Sequence, residues 1–327
     1  MVIARALTQA LRDAGHEADI IVTPQNRFGR QATAYIATWF TDVGVTEGRA
    51  IDRVISLRYP SYAVRHEQHV CWLNHTMREY YDLWDRFSPT LGATGLVKER
   101  LRRTAIHAAD RYLLGRNVKT LFVQSRTIRQ RLSIWPEIRS TVLYPPAPQR
   151  SYRCDGYGDY IFLVSRLTTL KRANLLVAAL ATPAGAGIKA IIAGDGDQLA
   201  PLQALIAVHN LQDRVRLVGR LDDAALLNHL AKCRAVCFPP LQEDYGFVTV
   251  EAFASHKAVV TCSDSGGPAE LVSHGVNGFV CDPTPESVAG ALRRLMDDGA
   301  LAERLGTGAY DRGAQLNWPD AVRQLTA

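Results

Sequence analysis

Glu243 and Glu251 stand with seven residues between them, on either side of a short polar loop, Gln242-Glu243-Asp244-Tyr245-Gly246. The apolar run 235–238, closed by Pro239-Pro240, reads as a strand ending at a breaker. Residues 247–255 read as a helix and 258–261 as another buried strand. Glu243 therefore falls in a strand-to-helix loop, and Glu251 just over one turn into the helix. The N–H groups of Gly246, Phe247 and Val248, with Thr249 behind them, are open donors at a helix start. Such a start binds anions, and phosphate fits it. A diphosphate there would have a carboxylate on each side, able to accept hydrogen bonds from sugar or ribose hydroxyls. Two surface glutamates around a helix start would show the same spacing. What separates the readings is Ser265-Gly266-Gly267-Pro268-Ala269-Glu270, a second Gly-rich strand-to-helix turn. Two such turns in succession belong to the ligand edge of a doubly wound sheet.

Three further loops carry candidate chemistry. Arg166 and Lys171 bracket the loop after the apolar run 160–164. Two cations there can neutralise a leaving diphosphate, the arginine by forked hydrogen bonds and the lysine as a point charge. A basic surface loop is the plainer alternative. Gly194-Asp195-Gly196-Asp197 contains the Asp-x-Asp of metal-dependent transferases. It also follows a strand and opens a helix, which favours a strand-to-helix turn over a metal site, so no metal ligands are expected. His75 follows the strand 69–73, where ligands bind in such sheets; a lone histidine there is more often a structural residue.

The segment P-x2-E-D-Y-G-F-x3-E-A-x-A, followed by S-G-G-P-A-E, resembles the retaining family 4 glycosyltransferases of the GT-B fold. Arg166-x4-Lys171 and the Ala-Gly-Asp-Gly turn at 193–196 match the same family. His75-Thr76-Met77-Arg78 resembles the H-T-P-x-R segment of a bacterial mannosyltransferase-like subgroup, with Met77 in place of proline. Ser125-Arg126 with Arg131-Leu132 resembles its N-S-R…R-I segment, and 142–146 its V-x-Y-P-P. The resemblance implies an α/β chain of two Rossmann-like doubly wound domains facing a cleft. It implies a hexose-type sugar passed from a nucleotide-diphospho-sugar to an acceptor with retention and no obligatory metal or cofactor. In it, Arg166, Lys171 and the helix start hold the diphosphate, Glu243 orients sugar hydroxyls, and Glu251 binds the ribose. His75 faces the transferred sugar and acceptor, and the loop holding Leu221 lies near the nucleotide base. A GT-B sugar-nucleotide epimerase and a non-catalytic sugar-nucleotide binder are the alternatives.

The elements that would carry these residues follow from composition and order. The chain has 327 residues, enough for two domains, with 47% hydrophobic and 21% charged residues. The expected division is 1–149 and 150–314, with a last helix, about 315–327, returning to the first domain. Residues 2–14 read as a helix stopped by Gly15, and 18–23 as a β-rich strand. A helix is expected through Tyr80, Tyr81 and Trp84, and a basic amphipathic one over 98–114. A doubly wound domain normally opens with a strand and a Gly-rich turn. Here the first element is already the helix, so an incomplete N-terminal domain is expected, one that roughly 15–25 upstream residues would complete.

Charge is uneven: residues 1–150 hold 22 Lys and Arg against 13 Asp and Glu, and the rest 16 against 19. A basic first half points to an anionic partner or to a solvated basic face. Lys98, Arg100, Arg102 and Arg103 either meet a membrane surface or an anionic acceptor, or form that solvated face. No apolar run approaches the roughly 20 residues of a membrane span, and the opening residues do not read as a signal peptide. The six cysteines lack a metal-site partner set. Cys233 and Cys237 flank a core strand, so buried free thiols in a reducing cytosol are expected. The expected partners are a nucleotide-sugar donor and a glycan or lipid-linked acceptor rather than nucleic acid. The expected place is the cytoplasm or the inner face of its membrane.

Overall fold

A computed structural model describes residues 2–23, 29–46 and 48–327. The chain divides into two units, Met1–Pro145 with Trp318–Ala327, and Pro146–Asn317.

The second unit is built on six strands in the order Gly278–Cys281, Val259–Cys262, Ala235–Cys237, Tyr160–Val164, Lys189–Ala193, Val215–Leu217. Every neighbouring pair is parallel. Parallel strands are covered by helices on both faces, which is why their sequences are near-continuous apolar runs instead of alternating ones. Ile161, Leu163, Ile192, Val260 and Phe279 are buried in one core with Leu176, Leu180, Leu292 and Leu305 of the flanking helices. The first strand in the chain, Tyr160–Val164, lies inside the sheet. The next two extend it to one side, and Ala235–Cys237 then returns to the other. The strand order thus reverses between Tyr160–Val164 and Ala235–Cys237, and ligands bind outside the carboxyl ends at such a reversal.

The first unit holds four parallel strands in the order Val54–Ser56, His69–Leu73, Thr120–Val123, Thr141–Val142. Cys71, Leu73, Leu121 and Val123 pack with Tyr62, Tyr80, Tyr81, Trp84 and Leu113. Trp72 points elsewhere: its Nε1 donates to Leu143 O at 2.8 Å, and its ring meets Trp318 edge-on at 6.2 Å. The last helix, Trp318–Thr326, lies against the first, Val2–Asp13. Arg53 Nη1 donates to the Leu325 and Ala327 carbonyls at 3.1 and 2.7 Å.

Several expectations change. Residues 18–23 form no strand, and Ile20, Ile21 and Val22 are exposed. A strand exists only through its pairing, and no described strand pairs with this run. The helix expected through Tyr80 and Trp84 is two short turns, Arg78–Tyr80 and Trp84–Phe87. The break lets adjacent tyrosines reach separate carboxylates, Tyr80 OH to Glu99 at 2.8 Å and Tyr81 OH to Asp110 at 2.5 Å. The long helix spans Ala93–Tyr112, and its Arg102 and Arg103 turn inward. Arg102 pairs with the buried Glu99. Arg103 donates to Tyr80 O at 2.8 Å and lies 4.8 Å from the Trp84 ring centroid. All cysteines are free, and five are buried; Cys154 is exposed.

Candidate functional site

Three neighbouring strands of the second unit, Tyr160–Val164, Ala235–Cys237 and Val259–Cys262, end at one edge of the sheet, so their loops lie side by side. Arg172 fastens all three. It sits in the first loop at φ 49°, opening the helix Ala173–Ala181. Its Nε donates to Pro239 O at 2.7 Å and its Nη2 to Pro240 O at 2.8 Å. Its guanidinium also grips both oxygens of Asp264, at 2.8 and 2.6 Å. A planar fork with fixed donors suits this task.

Beside it, Lys171 Nζ lies 2.5 Å from Glu243 Oε2, with both side chains mostly buried. The ammonium also lies 5.7 Å from the Phe238 ring centroid. Lys171 follows Tyr160–Val164, and Glu243 follows Ala235–Cys237. The pair therefore bridges the point where strand order reverses.

The two Gly-rich turns are bound to each other. Gln242 N donates to Asp264 O and Glu243 N to Ser265 O, each at 2.9 Å, and Gly267 N to Glu243 O at 2.8 Å. The approach admits no side chain. A Cβ on Gly266 would sit 2.5 Å from Glu243 O, and one on Gly267 2.5 Å from Tyr245 Cα. Gly246, at φ 80°, opens the helix Phe247–Ala254 without a side-chain cap. A Cβ there would lie 2.8 Å from both the Phe238 ring and Pro268 Cγ. Phe247 and Val248 are half-buried in the first turn, and Thr249 is fully buried behind them.

Glu251 is buried on this helix and held from the start of the unit. Arg150 Nη1 lies 2.5 Å from Glu251 Oε1, and Tyr152 OH donates to the same oxygen at 3.2 Å. Arg150 Nη2 reaches Asp223 at 3.1 Å. Burial pushes the Glu251 carboxyl above its usual range, against the opposing pull of Arg150. Asp223 opens the helix Asp223–Lys232, capped by Asp222, and the half-buried Leu221 immediately precedes that cap. Glu251 and the loop holding Leu221 are thus joined through one arginine.

Arg166 is exposed and forms no ion pair among the described residues. Its loop rests on Gly194-Asp195-Gly196. Leu167 N donates to Asp195 O, and Gln198 N to Leu167 O, each at 2.9 Å. A Cβ on Gly194 would fall 1.8 Å from Ser165 O, so glycine is required there. The Asp195 carboxylate accepts from Gly196 N at 2.8 Å. Among the described residues no group of three or more His, Cys, Asp or Glu is gathered as a metal site.

The second unit thus brings together Arg166, Lys171, Glu243, Gly246, Phe247, Val248, Thr249, Glu251 and Leu221. His75 belongs to the first unit, half-buried after His69–Leu73, with Nδ1 3.2 Å from Thr76 O. Sequence reasoning missed Arg150, Tyr152, Arg172 and Asp264. Arg172 left a trace, since it directly follows Lys171. Arg150 left none, because it follows a proline-rich stretch with no periodicity.

This edge presents an exposed guanidinium, an ammonium, an uncapped helix start and two carboxylates. Cations and N–H groups suit phosphate, and carboxylates suit hydroxyls. Residues 150–312 match the family of glycosyl transferases group 1. Alpha-D-kanosaminyltransferase of Streptomyces kanamyceticus is 28% identical over 225 residues, 66% of this chain and 53% of that protein. The chain therefore spans about half the length of that relative. Sucrose-phosphate synthase from Thermosynechococcus elongatus superposes with a TM-score of 0.71 at 19% identity, over 98% of this chain and 90% of that one. HepE of Anabaena, solved in complex with UDP-glucose, superposes with a TM-score of 0.58 at 18% identity, over 83% and 98%. With the fold and the family agreeing, the chain belongs, through residues 150–312, to the group 1 glycosyltransferases of the GT-B fold.

Proposed function

We propose that this chain transfers a hexose-type sugar from a nucleotide-diphospho-sugar to a glycan or lipid-linked acceptor, with retention and without a resident metal or other cofactor. The observation that carries the reading is the Lys171–Glu243 pair at the strand-order reversal, beside the uncapped helix start after Gly246. Arg166, Lys171 and the N–H groups of Gly246, Phe247 and Val248 take the diphosphate and stabilise charge building on the leaving group. Thr249 backs that first turn. Glu243 orients sugar hydroxyls. Glu251, held by Arg150, accepts from the ribose, and the loop at Leu221 flanks the base. His75 acts on the acceptor side. The acceptor attacks the face from which the nucleotide leaves, and the departing phosphate takes the acceptor proton. HepE, solved with UDP-glucose, supports a nucleotide-sugar donor, and the kanosaminyltransferase supports glycosyl transfer. The reaction is placed in the cytoplasm, at the inner face of the membrane where the acceptor is lipid-linked.

The test is product analysis with a panel of nucleotide-sugars, with and without acceptor, reading anomeric configuration by NMR. Transfer with the donor's configuration kept is expected. Inverted product overturns retention. Epimerised nucleotide-sugar without acceptor makes the chain an epimerase, and donor binding without turnover makes it a binding protein.

A further inference from the structure

The helix Ala93–Tyr112 is turned the wrong way round for a soluble surface. A surface helix ordinarily sends its apolar stripe to the core and its charges to water. Here the buried residues are Glu99, Ile106 and Asp110. Both acids are engaged inside, Glu99 by Tyr80 and Arg102, and Asp110 by the phenols of Tyr35, Tyr62 and Tyr81. On the opposite side Val97, Leu101, Ala105, Ala108 and Tyr112 are all exposed, Leu101 by 69%. At 100° per residue these five fall within an arc of about 80°. Lys98 lies at one border of that arc, and Arg100 and Arg111 at the other, all exposed. Every exposed ionic group on this helix is therefore basic. Glu137, which pairs with Arg111 of this helix, is itself exposed.

The apolar surface continues onto the helix Gln31–Trp39. The Tyr112 ring lies 6.4 Å from Trp39, and the neighbouring Ile36 and Phe40 are exposed, Phe40 by 71%. Arg65 adds a further cation, 5.3 Å from the Trp39 ring centroid and 5.9 Å from that of Phe40.

We propose that this face docks on an anionic lipid bilayer. The stripe from Val97 to Tyr112, with Ile36 and Phe40, enters the headgroup boundary, and Lys98, Arg100, Arg111 and Arg65 meet lipid phosphates. An apolar arc bordered on both sides by cations is the pattern of a helix lying in a membrane interface. A second copy is a poorer occupant, since two such helices would bring like charges together with no exposed helix acid to offset them. Of the cations that charge counting selects, Lys98 and Arg100 stay outside, whereas Arg102 and Arg103 are committed inward. The inference does not rest on glycosyl transfer, and its test does not measure activity.

The full chain is sedimented with vesicles of phosphatidylcholine alone, and with vesicles partly replaced by phosphatidylglycerol. Binding is expected on the anionic vesicles, weakening with salt. Lys98→Gln and Arg100→Gln should each weaken it roughly fivefold. The pair Val97→Asp and Leu101→Asp should weaken it roughly tenfold or more, with unfolding temperature unchanged because both sites are exposed. No binding at low salt overturns the proposal, as does binding indifferent to lipid charge or to the Asp substitutions. Concentration-dependent self-association lost in Leu101→Asp, without vesicle binding, also overturns it and makes the face an interface between copies.

Discussion

Lys171 and Glu243, 72 positions apart in sequence, meet at 2.5 Å across the point where the second sheet reverses its strand order. Arg166 stands on the same loop as Lys171 but is exposed, without an ion pair among the described residues. Replacing either cation by alanine should lower turnover roughly 10²–10³-fold, by analogy with removal of one preorganised charge contact. Stability separates the two. Lys171→Ala strands the Glu243 carboxylate and should cost about 1–3 kcal/mol, whereas Arg166→Ala should leave thermal unfolding unchanged. Steady-state kinetics and thermal melts on both variants check this. Near-normal turnover in both removes these residues from the mechanism.

Arg172→Lys should not substitute for arginine. A lysine cannot hold the Asp264 carboxylate in a two-point grip and donate to Pro239 O and Pro240 O at once. The three loops should loosen together, with a loss of at least about 2 kcal/mol in urea unfolding and weaker donor binding. An unchanged urea midpoint would show that the loops hold their positions by other means.

Activity should survive chelation, because cations and the helix start supply the charge that a metal supplies elsewhere. Assay in EDTA, with and without added Mg²⁺ or Mn²⁺, reads this directly. Complete loss reversed by either ion would make Asp195 and Asp197 metal ligands.

Asp110 is fully buried under three phenols, from Tyr35, Tyr62 and Tyr81. Burial raises its carboxyl to about 6, the phenol hydrogen bonds opposing. The folded state thus binds this proton more tightly than the unfolded state. Its contribution to stability is present below the unfolded value and is lost as pH rises through about 6. Stability attributable to this group should fall between pH 4 and pH 6 by on the order of 2 kcal/mol. Urea unfolding across that window should show the slope in the native chain and lose it in Asp110→Asn. An identical slope in both would assign the effect to other groups.

The second unit was largely readable because its signals are local. Each buried strand is a short apolar run, each turn carries glycines, and the next helix begins within a few residues. Gly266 and Gly267 mark the place where the Glu243 loop crosses, so their spacing in sequence reports a contact in space. Arg150 and Glu251 lie 101 positions apart, and nothing periodic links them. The first unit was harder for a different reason. Residues 18–23 have strand propensity, but propensity yields a strand only beside a partner. Arg102 and Arg103 look like surface charges by type, yet a buried carboxylate, a tyrosine carbonyl and an indole ring draw them inward. Charge counting cannot distinguish these from Lys98 and Arg100, which remain outside.

Donor binding at this edge is the central claim, and calorimetric titration of the full chain with a panel of nucleotide-diphospho-sugars measures it most directly. One donor should bind, Arg166→Ala should weaken it, and Glu251→Gln should weaken it further through the ribose, while the free sugar alone gives no heat. Binding by none of the donors, or binding that neither substitution changes, would contradict the account.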